Sequence, residues 1–157
     1  MSIEELESTG IERMDGDEID GFLSGQRVGV LGLPSENGPY MIPLSFGYDG
    51  ESSLYFVYLL GANSRKEELT ERAETATFLV YDATASFMWE SALLSGTVEE
   101  VPESEWDESN EALKTAWRPD VFESAALSRG VKVYRFEIED RTGLKHTGLP
   151  PALEPEE

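Results

Sequence analysis

The sequence predicts a mainly β protein with flanking helices, built as a closed or nearly closed antiparallel barrel. Three observations carry that expectation. Six or so segments have strand-type patterning, and turn signals join most of them as hairpins. Helical patterning is inserted among the strands at two points. No GxGxxG run follows the first strand, so a parallel dinucleotide-binding sheet has no support. Strands joined by hairpins favour a barrel over βαβ units.

Along the chain, 4–20 begins loosely and then reads as a short helix carrying Ile19, Phe22 and Leu23 toward the core. Segment 27–33 (RVGVLGL) is glycine-punctuated and β-like. The turn 34–39 (PSENGP) contains Asn-Gly, a strong hairpin signal. Strand patterning resumes over 40–48 (YMIPLSFGY), where Pro43 implies an edge or a bulge. Asp49-Gly50 turns the chain again, and 53–60 (SLYFVYLL) is a nearly continuous apolar strand. A helical pattern follows over 64–74, then a strand over 75–81. Residues 87–101 read as one long strand, or as two joined by a bend at Gly96. A second helix is expected over 102–117, with Pro102 near its start and acidic residues in its first turn. A short helix over 121–127 precedes an alternating strand over 131–138 (VKVYRFEI). Residues 1–147 thus form one domain, and 148–157 (GLPPALEPEE) an acidic, proline-rich tail.

A chain of 157 residues buries roughly two thirds of its unfolded surface. It has no cysteine and a single histidine, His146, which excludes thiolate catalysis, cysteine-ligated metals and multi-histidine metal sites. The acidic N-terminus is the opposite of a signal or transit peptide, so a cytoplasmic location is expected. Thirty-two acidic residues against twelve basic ones give a net charge of −20. Such a surface repels nucleic acid and anionic membranes. With 39% hydrophobic residues the chain is nevertheless a folding one, and a halophilic protein is the expectation. At about 1 M ionic strength the Debye length is about 3 Å, which screens repulsion among surface carboxylates.

The segment 63–69 (NSRKEEL) holds the most chemistry. Ser64 with Glu67 three residues on is a capping-box pattern and marks a helix start. Free N–H groups and the helix dipole favour an anion there, and Arg65 and Lys66 add two cations. Ser64, Arg65 and Lys66 are therefore candidates to hold a phosphate. The alternative is an ordinary capped helix whose Arg and Lys pair with neighbouring glutamates.

In order and spacing, GPYMIPLSF (38–46), LYF (54–56), SRK with Leu69 (64–69), and WESALLSG (89–96) with VEEV (98–101) resemble one family. It is the pyridoxamine 5′-phosphate oxidase-like FMN-binding split barrel, and the chain is most similar to the nitroimidazole-resistance branch. The likeness runs from about 19 to 143. It implies a six-stranded antiparallel split barrel with two or three flanking helices, and a homodimer with FMN at the interface. By position, Pro43, Leu44 and Ser45 would lie along the isoalloxazine through backbone groups, and Ser64, Arg65 and Lys66 would hold the phosphate. Ser91 falls where relatives carry a polar flavin contact. Trp89 is placed along the same pocket, with plain barrel packing as its alternative. Val57 stands where many relatives have a histidine. The oxidase's C-terminal tryptophan-and-arginine signature is missing from RTGLKHTGLPPALEPEE, so the resemblance does not carry pyridoxamine phosphate oxidation.

The function implied is that of a flavoprotein oxidoreductase moving hydride to or from a small molecule. A deazaflavin replaces FMN in some relatives. The competing reading is a flavin- or haem-binding barrel with a sensing or storage role. No catalytic side chain is assigned, since the cofactor supplies the redox chemistry. His146 is expected as surface of the tail, and Trp106 and Trp117 as core with Leu113. Weak alternation over 53–60 and 87–94 implies apolar residues on both sheet faces, more than two helices can cover, and hence a dimer.

Overall fold

The structure, a computed structural model, describes residues 2–59, 65–113 and 131–148. In chain order it contains α1 (Ile3–Ser8), β1 (Ile11–Arg13), α2 (Gly16–Gly25), β2 (Val28–Leu33), β3 (Tyr40–Ser45) and β4 (Gly47–Tyr48). These are followed by β5 (Ser53–Leu59), α3 (Arg65–Arg72), β6 (Ala76–Ala85), β7 (Met88–Val101), α4 (Trp106–Leu113) and β8 (Val131–Thr147). A 3-10 turn, Glu103–Glu105, leads into α4. The strands make one antiparallel sheet in the order β3-β2-β6-β7-β8-β5-β4, with β1 on β8. The sheet count is therefore eight rather than six. The two extra strands are the short β1 and β4, which sequence patterning over three and two residues does not reveal.

Turn chemistry sets the hairpins. Gly38 takes φ +108 in the β2–β3 turn, a conformation that favours glycine. After β4, the Asp49 carboxylate accepts the N–H groups of Glu51, Ser52 and Ser53 at 2.8–3.1 Å. Residues 88–101 form a single strand, and the bend expected at Gly96 is a register shift against β8. A Cβ on Gly96 would meet the Glu137 carbonyl oxygen at 1.9 Å, so this close approach demands glycine.

The inner face encloses one core. Leu31, Leu54, Phe56, Phe78, Leu94 and Phe136 are fully buried there, and Ile19, Phe22 and Leu23 of α2 close it as expected. Tyr58 and Tyr134 pack with ring centroids 4.4 Å apart. Helix α2 starts with its own capping box: Glu18 N–H donates to Asp15 at 2.8 Å, and Asp15 N–H to Glu18 at 3.4 Å.

Two expectations change. The last strand does not stop at 138 but runs to Thr147, so His146 belongs to β8 and not to the tail. His146 is 4% exposed, and its Nδ1 and Nε2 each lie 3.0 Å from a carbonyl oxygen, of Phe87 and Thr9. Both carbonyls only accept, so a neutral ring donates to one of them and a doubly protonated ring to both. The second change concerns β5. Its outward residues Tyr55 and Val57 pack with Val101, Val133, Trp106, Ala112 and Leu113, so α4 covers that stretch within the chain. Trp106 is half-buried there, and its indole N–H donates to the Val101 carbonyl at 3.0 Å. Trp117, the helix expected over 121–127 and the tail beyond 148 lie outside the described residues.

Candidate functional site

β3 is an edge strand paired only with β2 among the described residues, which is why Pro43 is tolerated at its centre. Its other edge presents backbone N–H and C=O groups without a strand partner there. Register places Pro43 opposite Val30, Val30 opposite Leu79, and Leu79 opposite Leu93. Pro43, Ser45, Trp89 and Ser91 all share this outer face, by the two-residue period of their strands. Leu44 points the other way and packs on the core, and its backbone groups face Gly29 of β2, in step with the Phe46 N–H that donates to the Arg27 carbonyl, so Leu44 lies on neither the outer face nor the free edge. A cleft of about 500 Å³ lies against Pro43, lined also by Gln26, Arg27, Val28, Val30 and Tyr81. That volume is in the range of small-molecule and cofactor pockets. Arg27 and Tyr81 are missed by sequence reasoning; the available signal for Arg27 is a cation placed just before a strand in an acid-rich chain.

Four of the five large exposed apolar residues among those described gather on the outer face, Met88 being the fifth. Val28, Met41, Tyr81 and Leu93 are 44, 63, 58 and 49% exposed, and all four project from it. A second cleft of about 210 Å³, at the far end of β7, involves Trp89, Glu90, Asp82 and His146. Neither cleft contains a residue of α3.

At the start of α3 the Arg65 guanidinium carbon stands 5.6 Å from the Tyr40 ring centroid, and Lys66 Nζ stands 5.1 Å from that of Tyr58. The Thr70 hydroxyl donates to the Lys66 carbonyl at 2.6 Å, so the Tyr58 hydroxyl is left to donate to Thr70, 2.7 Å away. Burial pushes the Tyr58 hydroxyl up to about 12, which keeps that proton in place. The glutamates that follow in sequence are engaged elsewhere. Glu67 pairs with Lys132, and Glu68 with Arg72 at 3.2 Å. Among the described residues Arg65 and Lys66 form no ion pair, unlike Arg135, Arg141 and Lys145. Ser64 lies outside the described residues, so its part in the predicted cap does too. The structure thus gathers Arg65 with Lys66 at one place, and Pro43, Ser45, Trp89 and Ser91 on another face.

The sequence model described as pyridoxamine 5′-phosphate oxidase matches residues 15–145. No curated protein matches the sequence. Among solved structures, an FAD-binding protein from Mesorhizobium loti is 24% identical with a TM-score of 0.70, over 87% of this chain and 99% of that one. A candidate 5-nitroimidazole antibiotic resistance protein from Bacteroides thetaiotaomicron is 22% identical with a TM-score of 0.67, over 86% and 88% of the two chains. A flavocytochrome from Azotobacter vinelandii is 16% identical with a TM-score of 0.69, over 94% and 73%. At these identities the likeness establishes the shared fold. Among the described residues no helix is long and apolar enough to cross a membrane.

Proposed function

The chain belongs to the pyridoxamine 5′-phosphate oxidase family, a group of split-barrel proteins, and on that footing we propose that it binds FMN and works as a small-molecule oxidoreductase. The observation that carries this reading is the pair Arg65 and Lys66, two cations without carboxylate partners among the described residues of a chain with net charge −20. In so acidic a protein an unpaired cation pair at a helix start has an anion as its natural complement. FMN supplies one terminal phosphate, and the sequence has no glycine-rich loop for a pyrophosphate, which favours FMN over FAD.

The residues present fit such a group. Arg65 and Lys66, with Ser64 before them, would hold the phosphate, and the free edge of β3 at Pro43 and Ser45 would offer backbone groups to the ring. Val28, Pro43 and Tyr81 give the adjoining cleft apolar walls that exclude water from a planar ring. When bound, a flavin supplies hydride and electron transfer, which no side chain here needs to provide. The chain's own part is to fix the phosphate, orient the ring and keep the cleft dry. Haem is less well served: there is no cysteine, and the single histidine has both ring nitrogens at carbonyl oxygens. A homodimer completes the proposal. Val28, Met41, Tyr81 and Leu93 lie on the same face as Pro43, Ser45, Trp89 and Ser91, so a second copy seated there would bury them and bring its strand residues to the flavin.

The test is a binding titration of FMN, FAD and riboflavin against the wild type and the double variant Arg65→Ala/Lys66→Ala. The double substitution should weaken FMN by about 2–4 kcal/mol, at roughly 1–2 for each charge-assisted contact, and leave riboflavin nearly unchanged. Equal losses for both ligands, or none, would refute the assignment.

A further inference from the structure

Lys132 lies on β8 directly opposite Tyr58, the residue whose ring carries Lys66. Its ammonium gathers three carboxylates: Glu67, hydrogen-bonded to it, Glu100 at 3.6 Å and Glu71 at 3.8 Å. Two of the three belong to α3 itself, one residue and five residues past Lys66. The Lys132 pKa is held above the ordinary lysine value, first by the hydrogen bond to Glu67 and against the cost of burial. The ammonium is therefore a fixed positive charge among three negative ones.

This arrangement makes the field at the start of α3 less negative. With Lys132 in place, Glu67 and Glu71 are partly neutralised and turned toward the sheet. Without it, Glu67, Glu71 and Glu100 would lose the cation they share beside that helix. An incoming dianionic phosphate would then meet more uncompensated negative charge beside Arg65 and Lys66, and its attraction to them would weaken. Resting on the phosphate site proposed above, we propose that Lys132 is a positioning residue for it: by binding Glu67, Glu71 and Glu100 it keeps Arg65 and Lys66 available to an anion.

The experiment compares FMN and riboflavin affinities in dilute buffer and in molar KCl, for the wild type, Lys132→Met, Lys132→Arg, Glu67→Gln and Lys132→Met/Glu67→Gln. Lys132→Met should lose about tenfold in FMN affinity at low salt and little in riboflavin affinity, and the deficit should shrink in KCl. Lys132→Arg should keep wild-type affinity because the charge is retained, and adding Glu67→Gln to Lys132→Met should restore much of the loss. Glu67→Gln alone should bind FMN within about twofold of wild type, a readout that survives if Lys132→Met fails to fold. The proposal is overturned if Lys132→Met binds FMN normally, loses both ligands together or is not rescued by Glu67→Gln. A tenfold FMN loss in Glu67→Gln alone overturns it as well. A wild type that binds FMN no better than riboflavin overturns the phosphate site itself, and that result is read before any variant.

Discussion

The outer face of the sheet has two halves that carry similar side chains and meet different fates. Over β5, β8 and the end of β7, Tyr55, Val133 and Val101 are buried under α4 through Trp106, Ala112 and Leu113. Over β2, β3, β6 and the start of β7, the outward residues Val28, Met41, Tyr81 and Leu93 remain exposed among the described residues. A helix supplies the cover in the first half. The second half has the same apolar character, an adjoining cleft and a strand edge without a strand partner among the described residues. The difference separates apolar surface that stabilises the monomer from apolar surface that the proposed second copy and flavin would cover.

The largest effect expected from breaking this comparison is on the covered half. Leu113→Ala should cost about 2–5 kcal/mol in urea unfolding, the range for a buried leucine truncated in a core. Leu93→Ala, measured at protein concentrations where the chain is monomeric, should stay within about 0.5 kcal/mol of wild type. Equal costs would show that the two halves do not differ in this way.

A middle-sized effect is expected at His146, which ties Thr9 and Phe87 to the end of β8. His146→Ala should cost about 1–3 kcal/mol by removing a buried ring together with its hydrogen bonding to the Phe87 and Thr9 carbonyls. Hydrogen exchange should rise first along β1, which pairs with β8 at this residue. An unchanged melting temperature and unchanged protection there would place His146 outside the structural framework.

A smaller effect concerns acid. The Asp20 carboxyl lies below its ordinary value, first because the Tyr48 hydroxyl donates to it at 2.7 Å and then through Arg141, against some cost of burial. A depressed folded-state pKa means the interaction stabilises the protein fully above the ordinary aspartate range. That contribution is lost as pH falls through the lowered value. Asp20→Asn should therefore reduce stability at neutral pH and flatten the acid limb of the pH–stability curve. A variant curve parallel to that of the wild type would contradict the assignment.

Much of the fold is legible in the sequence where local chemistry decides the structure. Asn37-Gly38 and Asp49-Gly50 mark real turns, Ile19, Phe22 and Leu23 mark the buried face of α2, and Gly96 marks the irregularity of β7. The second half of β8 is not legible, because tertiary partners erase its alternation. Its inward positions are Arg141, Gly143 and Lys145. The two cations pair with Asp20 and Glu18 of α2, and a Cβ on Gly143 would come within 3.0 Å of Met14 and Ile19. Three non-apolar residues on the core side hide the strand beyond 138, and with it the buried place of His146 beside Trp89 on the opposite face. At the candidate site, sequence marks Arg65 and Lys66 as a cation pair, but only the structure shows that Lys132 and Arg72 occupy the adjacent glutamates. Likewise the run 53–60 does not reveal that α4 covers its outer side, so the exposed apolar surface of the outer face lies on β2, β3, β6 and β7 instead.

Sedimentation velocity in molar KCl, recorded in both protein and flavin absorbance after FMN is added, tests the central claim most directly. The account predicts a single boundary near twice 17.5 kDa that carries the flavin colour. With Leu93→Asp, which sets a charge in the bare half, the boundary should fall to the monomer and the colour should leave it. A wild-type monomer that retains stoichiometric flavin, or a Leu93→Asp monomer that does, would contradict a flavin site shared between two copies.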